Sequence, residues 1–145
     1  MSSTIKTKLA KPTESIKVLL RSKGELGHRG APLDLIIRKD PGISDNRIRI
    51  LTTSKDAQCI EWDSILSGEE VGSKIASFYS GHSDWVTSIA SISEYGRFAT
   101  CSYDKTVKIW KLTDCSNIDY ESMVSQHYSP IASVQKHSDA ITVNA

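Results

Sequence analysis

Short runs of apolar residues, many β-branched or aromatic, recur along this chain, and polar turn residues separate them. VTSIASIS (86–93), RFATCS (97–102) and TVKIW (106–110) follow one another closely. Their composition and length suit strands half-buried on a pleated surface. The separators Glu94-Tyr95-Gly96-Arg97 and Tyr103-Asp104-Lys105 are short enough for hairpins. Three consecutive antiparallel strands are therefore predicted. Similar runs occur at 16–20 (IKVLL), 33–37 (LDLII), 47–54 (RIRILTTS), 59–62 (CIEW), 75–79 (IASFY) and 131–135 (IASVQ). No helical period competes with them.

The pattern repeats. Gly27-His28 precedes the first set of strands as Gly81-His82 precedes the second. Asp56 lies six residues before Trp62, and Asp104 six before Trp110; Thr52 and Thr100 each stand four residues before the aspartate. A third copy begins at Lys136-His137-Ser138-Asp139, echoing Gly81-His82-Ser83-Asp84. Gly27 to Gly81 is 54 positions, and Gly81 to Lys136 is 55. The turn at 38–46 and the polar connections at 64–74 and 113–130 carry much of that length. His127 stands alone within the last of these.

The repeated residues make chemical sense together. A buried Trp110 needs an acceptor for its indole N–H. Thr100 accepts that proton and passes its own to His82, whose remaining N–H goes to Asp104. His28, Thr52, Asp56 and Trp62 form the same chain in the first copy. A histidine, an aspartate and a hydroxyl also suggest a hydrolase triad. However, neither Thr100 nor Ser102 has a nucleophile-elbow pattern around it, and a triad leaves Trp110 and Gly81 unexplained.

The stretch from Gly81 to Trp110 closely resembles one repeat of the WD-repeat β-propeller family, with the family's final Trp-Asp pair present as Trp110-Lys111. The resemblance implies an all-β partial propeller of two four-stranded antiparallel blades plus the start of a third. The expected division is a flexible tail at 1–15, a first blade at 16–80, a second at 81–135 and the opening of a third repeat at 136–145. Within the family, residues 75–79 and 131–135 would supply the closing strand of each blade. Each end would then expose an apolar face. A repeat array needs about three units to bury enough surface, so the expectation is the N-terminal part of a longer propeller, with a self-assembling ring of half-propellers as the alternative.

Function follows only as far as the resemblance carries it. WD-repeat propellers are mostly non-catalytic platforms for other proteins, and partners often dock on the narrow face. The positions used there correspond to Trp85 and Tyr103, with Lys55 in the first blade. The order of motifs, with Asp84-Trp85-Val86 near the N-terminus, resembles the WD-repeat cofactors that bind and activate ubiquitin-specific proteases. Scaffolds of coat complexes, nuclear pores and vesicle-traffic kinases, or the propeller part of a larger enzyme, are the alternatives.

Composition narrows this further. A formal net charge of +1 gives no strong field for nucleic acid or an acidic membrane. Cys59, Cys101 and Cys115 show no metal-ligand or disulfide spacing, and no cofactor is expected. The basic start MSSTIKTKLAKP lacks the apolar core of a secretory signal. No run reaches the ~18 apolar residues of a membrane span. An intracellular protein, cytoplasmic or nuclear, is the expectation.

Overall fold

A computed structural model describes residues 27–39, 46–67, 70–92, 96–112 and 124–135. The expected tail, the strand at 16–20, the turn residues 40–45, Cys115 and the third repeat lie outside them. Among the described residues nine strands run in order: β1 (Pro32–Arg38), β2 (Arg47–Ser54), β3 (Gln58–Ser67), β4 (Glu70–Ser80), β5 (Val86–Ile92), β6 (Arg97–Ser102), β7 (Val107–Lys111), β8 (Gln126–Tyr128) and β9 (Ala132–Val134). They form two sheets, ordered β1-β2-β3-β4-β8 and β5-β6-β7-β9. All pairings are antiparallel except β4 with β8. The described residues are all-β.

Side-chain alternation explains how the sheets meet. On β2, Leu51 points to one face and Ile50 to the other. Leu51, Cys59 and Tyr79 of the first sheet pack against Ile89, Phe98 and Trp110 of the second. Tyr79 meets Phe98 edge-on, with ring centroids 4.8 Å apart. Ile50, Ile60, Trp62 and Ile75 form a second cluster on the far face of the first sheet. Each blade thus buries its repeat tryptophan on the same side, and the second blade's tryptophan face rests on the first blade. The backbone register makes Leu35 the counterpart of Ile89, since they pair with Thr52 and Thr100 respectively. Ile89 is 6% exposed beneath the neighbouring sheet, whereas Leu35 is 53% exposed.

Two expectations need correction. The stretch 64–74 is not a polar connection: β3 and β4 extend into it as a long hairpin. Its polar residues find partners across the strands. Ser64 and Ser73 hydroxyls lie 3.1 Å apart, and Asp63 accepts from Arg47 Nε at 2.8 Å and Arg49 Nη2 at 3.1 Å. The end of the 113–130 connection is likewise no simple surface excursion. β8 adds a fifth strand to the first sheet before the chain crosses to β9 in the second. His127 stacks on Phe78 at 4.8 Å and Tyr128 on Tyr79 at 5.4 Å. Ser125 Oγ donates to the Ile75 carbonyl at 2.9 Å. One continuous segment therefore ties the outer edges of both blades together.

Candidate protein-docking site

The narrow end of the blades is built from two equivalent turns, each held by four side chains. In the second blade, Trp110 Nε1–H donates to Thr100 Oγ1 at 2.8 Å. Thr100 Oγ1 in turn lies 2.7 Å from His82 Nε2, and His82 Nδ1 lies 2.7 Å from Asp104 Oδ2. With Thr100 donating to Nε2, the histidine proton sits on Nδ1 and goes to the carboxylate. The first blade repeats this arrangement. Trp62 Nε1–H donates to Thr52 Oγ1 at 2.9 Å, Thr52 Oγ1 lies 2.7 Å from His28 Nε2, and His28 Nδ1 lies 2.9 Å from Asp56 Oδ2.

Each aspartate also organises backbone. Asp104 accepts the Ser83 N–H at 3.1 Å and the Thr106 N–H at 2.9 Å. Asp56 accepts the Arg29 N–H at 2.9 Å and the Gln58 N–H at 3.0 Å. The loop entering each blade is thereby fixed to the turn between its second and third strands. Gly81 belongs to the same constraint: a Cβ there would stand 3.0 Å from Pro130 Cδ and 3.3 Å from the Trp110 ring.

Burial and hydrogen bonding pull these groups in different directions. Burial holds the His82 pKa below its ordinary value, against the opposing hydrogen bond and charge of Asp104. Burial would raise the Asp104 carboxyl, but hydrogen bonds from Thr106, His82 and the Ser83 N–H overcome it and lower the pKa to about 2. Asp56 is lowered by the same balance, in which burial is outweighed by the Arg29 N–H and His28. Thr100 is 0% exposed, with its hydroxyl shared between the imidazole and the indole. Its geometry supports a structural link and leaves no approach to a nucleophile.

Above these links lie the three residues expected at a partner surface, and the fold brings them together. Trp85 and Tyr103 are both half-buried and stack with centroids 5.1 Å apart and planes 19° from parallel. Lys55 reaches across from the first blade, its Nζ 4.2 Å from the Trp85 ring centroid. Trp85 therefore packs on its own blade's turn and meets a cation of the neighbouring blade. Backbone bonds set the spacing: the Tyr103 N–H donates to the Trp85 carbonyl at 2.9 Å, and the Lys55 N–H to the Ala31 carbonyl at 3.0 Å. Trp85's own N–H goes to Asp84 Oδ1 at 2.7 Å.

Several supporting residues escaped the sequence reading. Ser54 and Ser102 stand two residues before each aspartate, and their Oγ atoms accept the Asp56 and Asp104 N–H at 3.1 and 3.0 Å. Aligning the two repeats would have found them. Asp34 joins the blades by accepting the Ile89 N–H at 3.0 Å through Oδ2. A buried charge cluster also went unforeseen. Glu61 accepts from the Tyr79 hydroxyl at 3.2 Å and lies 3.4 Å from Arg38 and 3.5 Å from Arg49. Burial raises the Glu61 pKa, and the two arginines only partly offset it.

Residues 72–111, from within β4 through β7, match the family model described as WD domain, G-beta repeat. Over 85 residues the chain is 32% identical to an uncharacterised WD repeat-containing protein of Schizosaccharomyces pombe. That alignment takes in 56% of this chain and 24% of the relative, so the chain spans about a quarter of its relative's length. A chain in a crystal structure of an active polycomb repressive complex 2 in the basal state shares the fold, with a TM-score of 0.56 and 20% identity over 80% of this chain and 23% of that one. The WD40 β-propeller domain of Doa1 aligns with a TM-score of 0.43 and 17% identity over 70% of this chain and 26% of that chain. The matched repeat and the fission-yeast relative agree with the paired tetrads: residues 72–111 match a WD repeat, and the two sheets are similar to blades of a WD-repeat β-propeller.

Proposed function

We propose that this chain is part of a non-catalytic WD-repeat scaffold that holds another protein against Trp85, Tyr103 and Lys55. The observation that carries the reading is the Trp85–Tyr103 stack with the Lys55 ammonium over it, set on turns fixed by buried hydrogen bonds. Rigid, partly exposed aromatics with a neighbouring cation suit the anchors on which binding energy concentrates. The 53% exposure of Leu35, against 6% for its counterpart Ile89, supports a further blade beside the first within a closed ring. The partner is a protein rather than a nucleic acid, and it is met inside the cell. The narrower proposal is that the scaffold activates a ubiquitin-specific protease. It rests on the order of motifs near the N-terminus.

The test is a pull-down from cell lysate with the full-length protein, comparing wild type with a Trp85→Ala, Tyr103→Ala double variant whose fold is checked by circular dichroism. Anchor residues typically cost about 2 kcal/mol or more when truncated, enough to empty the bead of specific partners. A ubiquitin-specific protease among the lost proteins supports the narrower reading. An unchanged partner set from the well-folded variant moves the binding surface elsewhere.

A further inference from the structure

The chemistry of the docking surface goes one step beyond its location. We infer that the Trp85–Tyr103–Lys55 cluster takes an acidic peptide segment of a partner protein, in which a carboxylate meets Lys55 and a neighbouring apolar side chain lies against the two rings. This rests on the docking reading above and adds the partner's chemistry to it.

The charges point this way. Arg29, Lys55 and Lys105 are exposed around the two turns, and among the described residues Asp84 is the exposed acid beside them. Asp84 already accepts the Trp85 N–H through Oδ1. The tetrad aspartates lie lower, with side chains 11% and 6% exposed and their oxygens committed to histidine and backbone N–H groups. Among the described residues no carboxylate pairs with Lys55. Its ammonium is instead held by the Trp85 ring. A ring contact positions a cation without neutralising it, so the charge is preorganised for an incoming anion. An ammonium already in place requires less ordering when the ion pair forms.

A peptide fits better than a nucleic acid. Stacking on bases needs an open ring face, and the Trp85 ring already meets both Tyr103 and the Lys55 ammonium. What the half-buried pair offers is apolar ring edge beside positive charge, which suits an aliphatic side chain next to glutamate or aspartate.

The experiment measures fluorescence anisotropy of two labelled peptides with the full-length protein. One alternates glutamate and leucine, and the other alternates lysine and leucine. The glutamate peptide should bind, weaken as salt rises, and lose about tenfold or more in affinity on Lys55→Glu. Lys55→Met should give a smaller loss, and Trp85→Ala should weaken the glutamate peptide as well. Lys55 is exposed, so its variants keep the test valid even if Trp85→Ala misfolds. The inference is overturned if the lysine peptide binds as well as the glutamate peptide. Indifference of the glutamate peptide to Lys55→Glu, or its displacement by a thymidine oligonucleotide, overturns it too. If the glutamate peptide does not bind but lysate partners still depend on Trp85 and Tyr103, the acidic chemistry falls and the docking surface stands. If both fail, the docking surface falls as well.

Discussion

Replacing Trp110 with alanine is expected to destabilise the fold by about 3–5 kcal/mol. Domains of this size have about 5–15 kcal/mol in hand, so the variant should sit at the edge of unfolding. Trp110 is 0% exposed and lies where the two blades meet, against Phe98 and Tyr79. Truncation opens a cavity there and leaves the Thr100 hydroxyl without its indole donor. Trp62→Ala should have a similar effect, since Trp62 is 1% exposed and bonded to Thr52 in the same way. Trp85→Ala should cost no more than about 1 kcal/mol, because that ring is half-buried at a turn. Urea denaturation midpoints of the three variants provide the comparison. Equal effects at all three tryptophans would contradict the distinction between the two buried links and the surface ring.

Asp104→Ala is expected to cost about 1–3 kcal/mol near neutrality, because it leaves the buried His82 N–H and two backbone donors without their acceptor. Lys105→Ala, one residue away and exposed, is the control. The pH dependence has a defined sign. The folded pKa of Asp104 is about 2, below its ordinary 3.8. The folded state therefore binds fewer protons, and the carboxylate's contribution is complete above 3.8 and lost as pH falls towards about 2. His82 is depressed below 6.5, so its contribution is lost first as acid charges it in the unfolded chain. Glu61, raised above 4.5, acts in the opposite sense and favours the fold at lower pH. The gap in stability between wild type and Asp104→Ala should accordingly narrow towards about pH 3. A gap that stays constant with pH, or an effect no larger than that of Lys105→Ala, would contradict the role assigned to the carboxylate.

The strands and the paired links were legible because local rules wrote them. VTSIASIS, RFATCS and RIRILTTS carry strand composition between turn residues, and the spacings from Thr52 to Trp62 and from Thr100 to Trp110 recur. The extended β3–β4 hairpin was hidden because its polar side chains look like loop. Ser64 and Asp63 are fully buried, but they are satisfied by Ser73, Arg47 and Arg49. The same mistake conceals the Glu61 cluster: charge on a strand reads as a solvated face, whereas β3 is covered on both sides. β8 was illegible for another reason. Three residues are too few to show a period, and its parallel pairing with β4 is set by contacts such as Tyr128 on Tyr79, far apart in sequence. The contact of Lys55 with Trp85 depends on how the two blades stack, which no local pattern encodes.

Hydrogen exchange with and without a captured partner tests the docking surface most directly. Partner binding should slow exchange at 83–85 and 103–105 and at the Lys55 turn, because those backbones frame the aromatic pair. The β8–β9 segment, at the outer edges of the blades, should exchange as before. Protection confined to 124–135, with the two turns unchanged, would contradict the account.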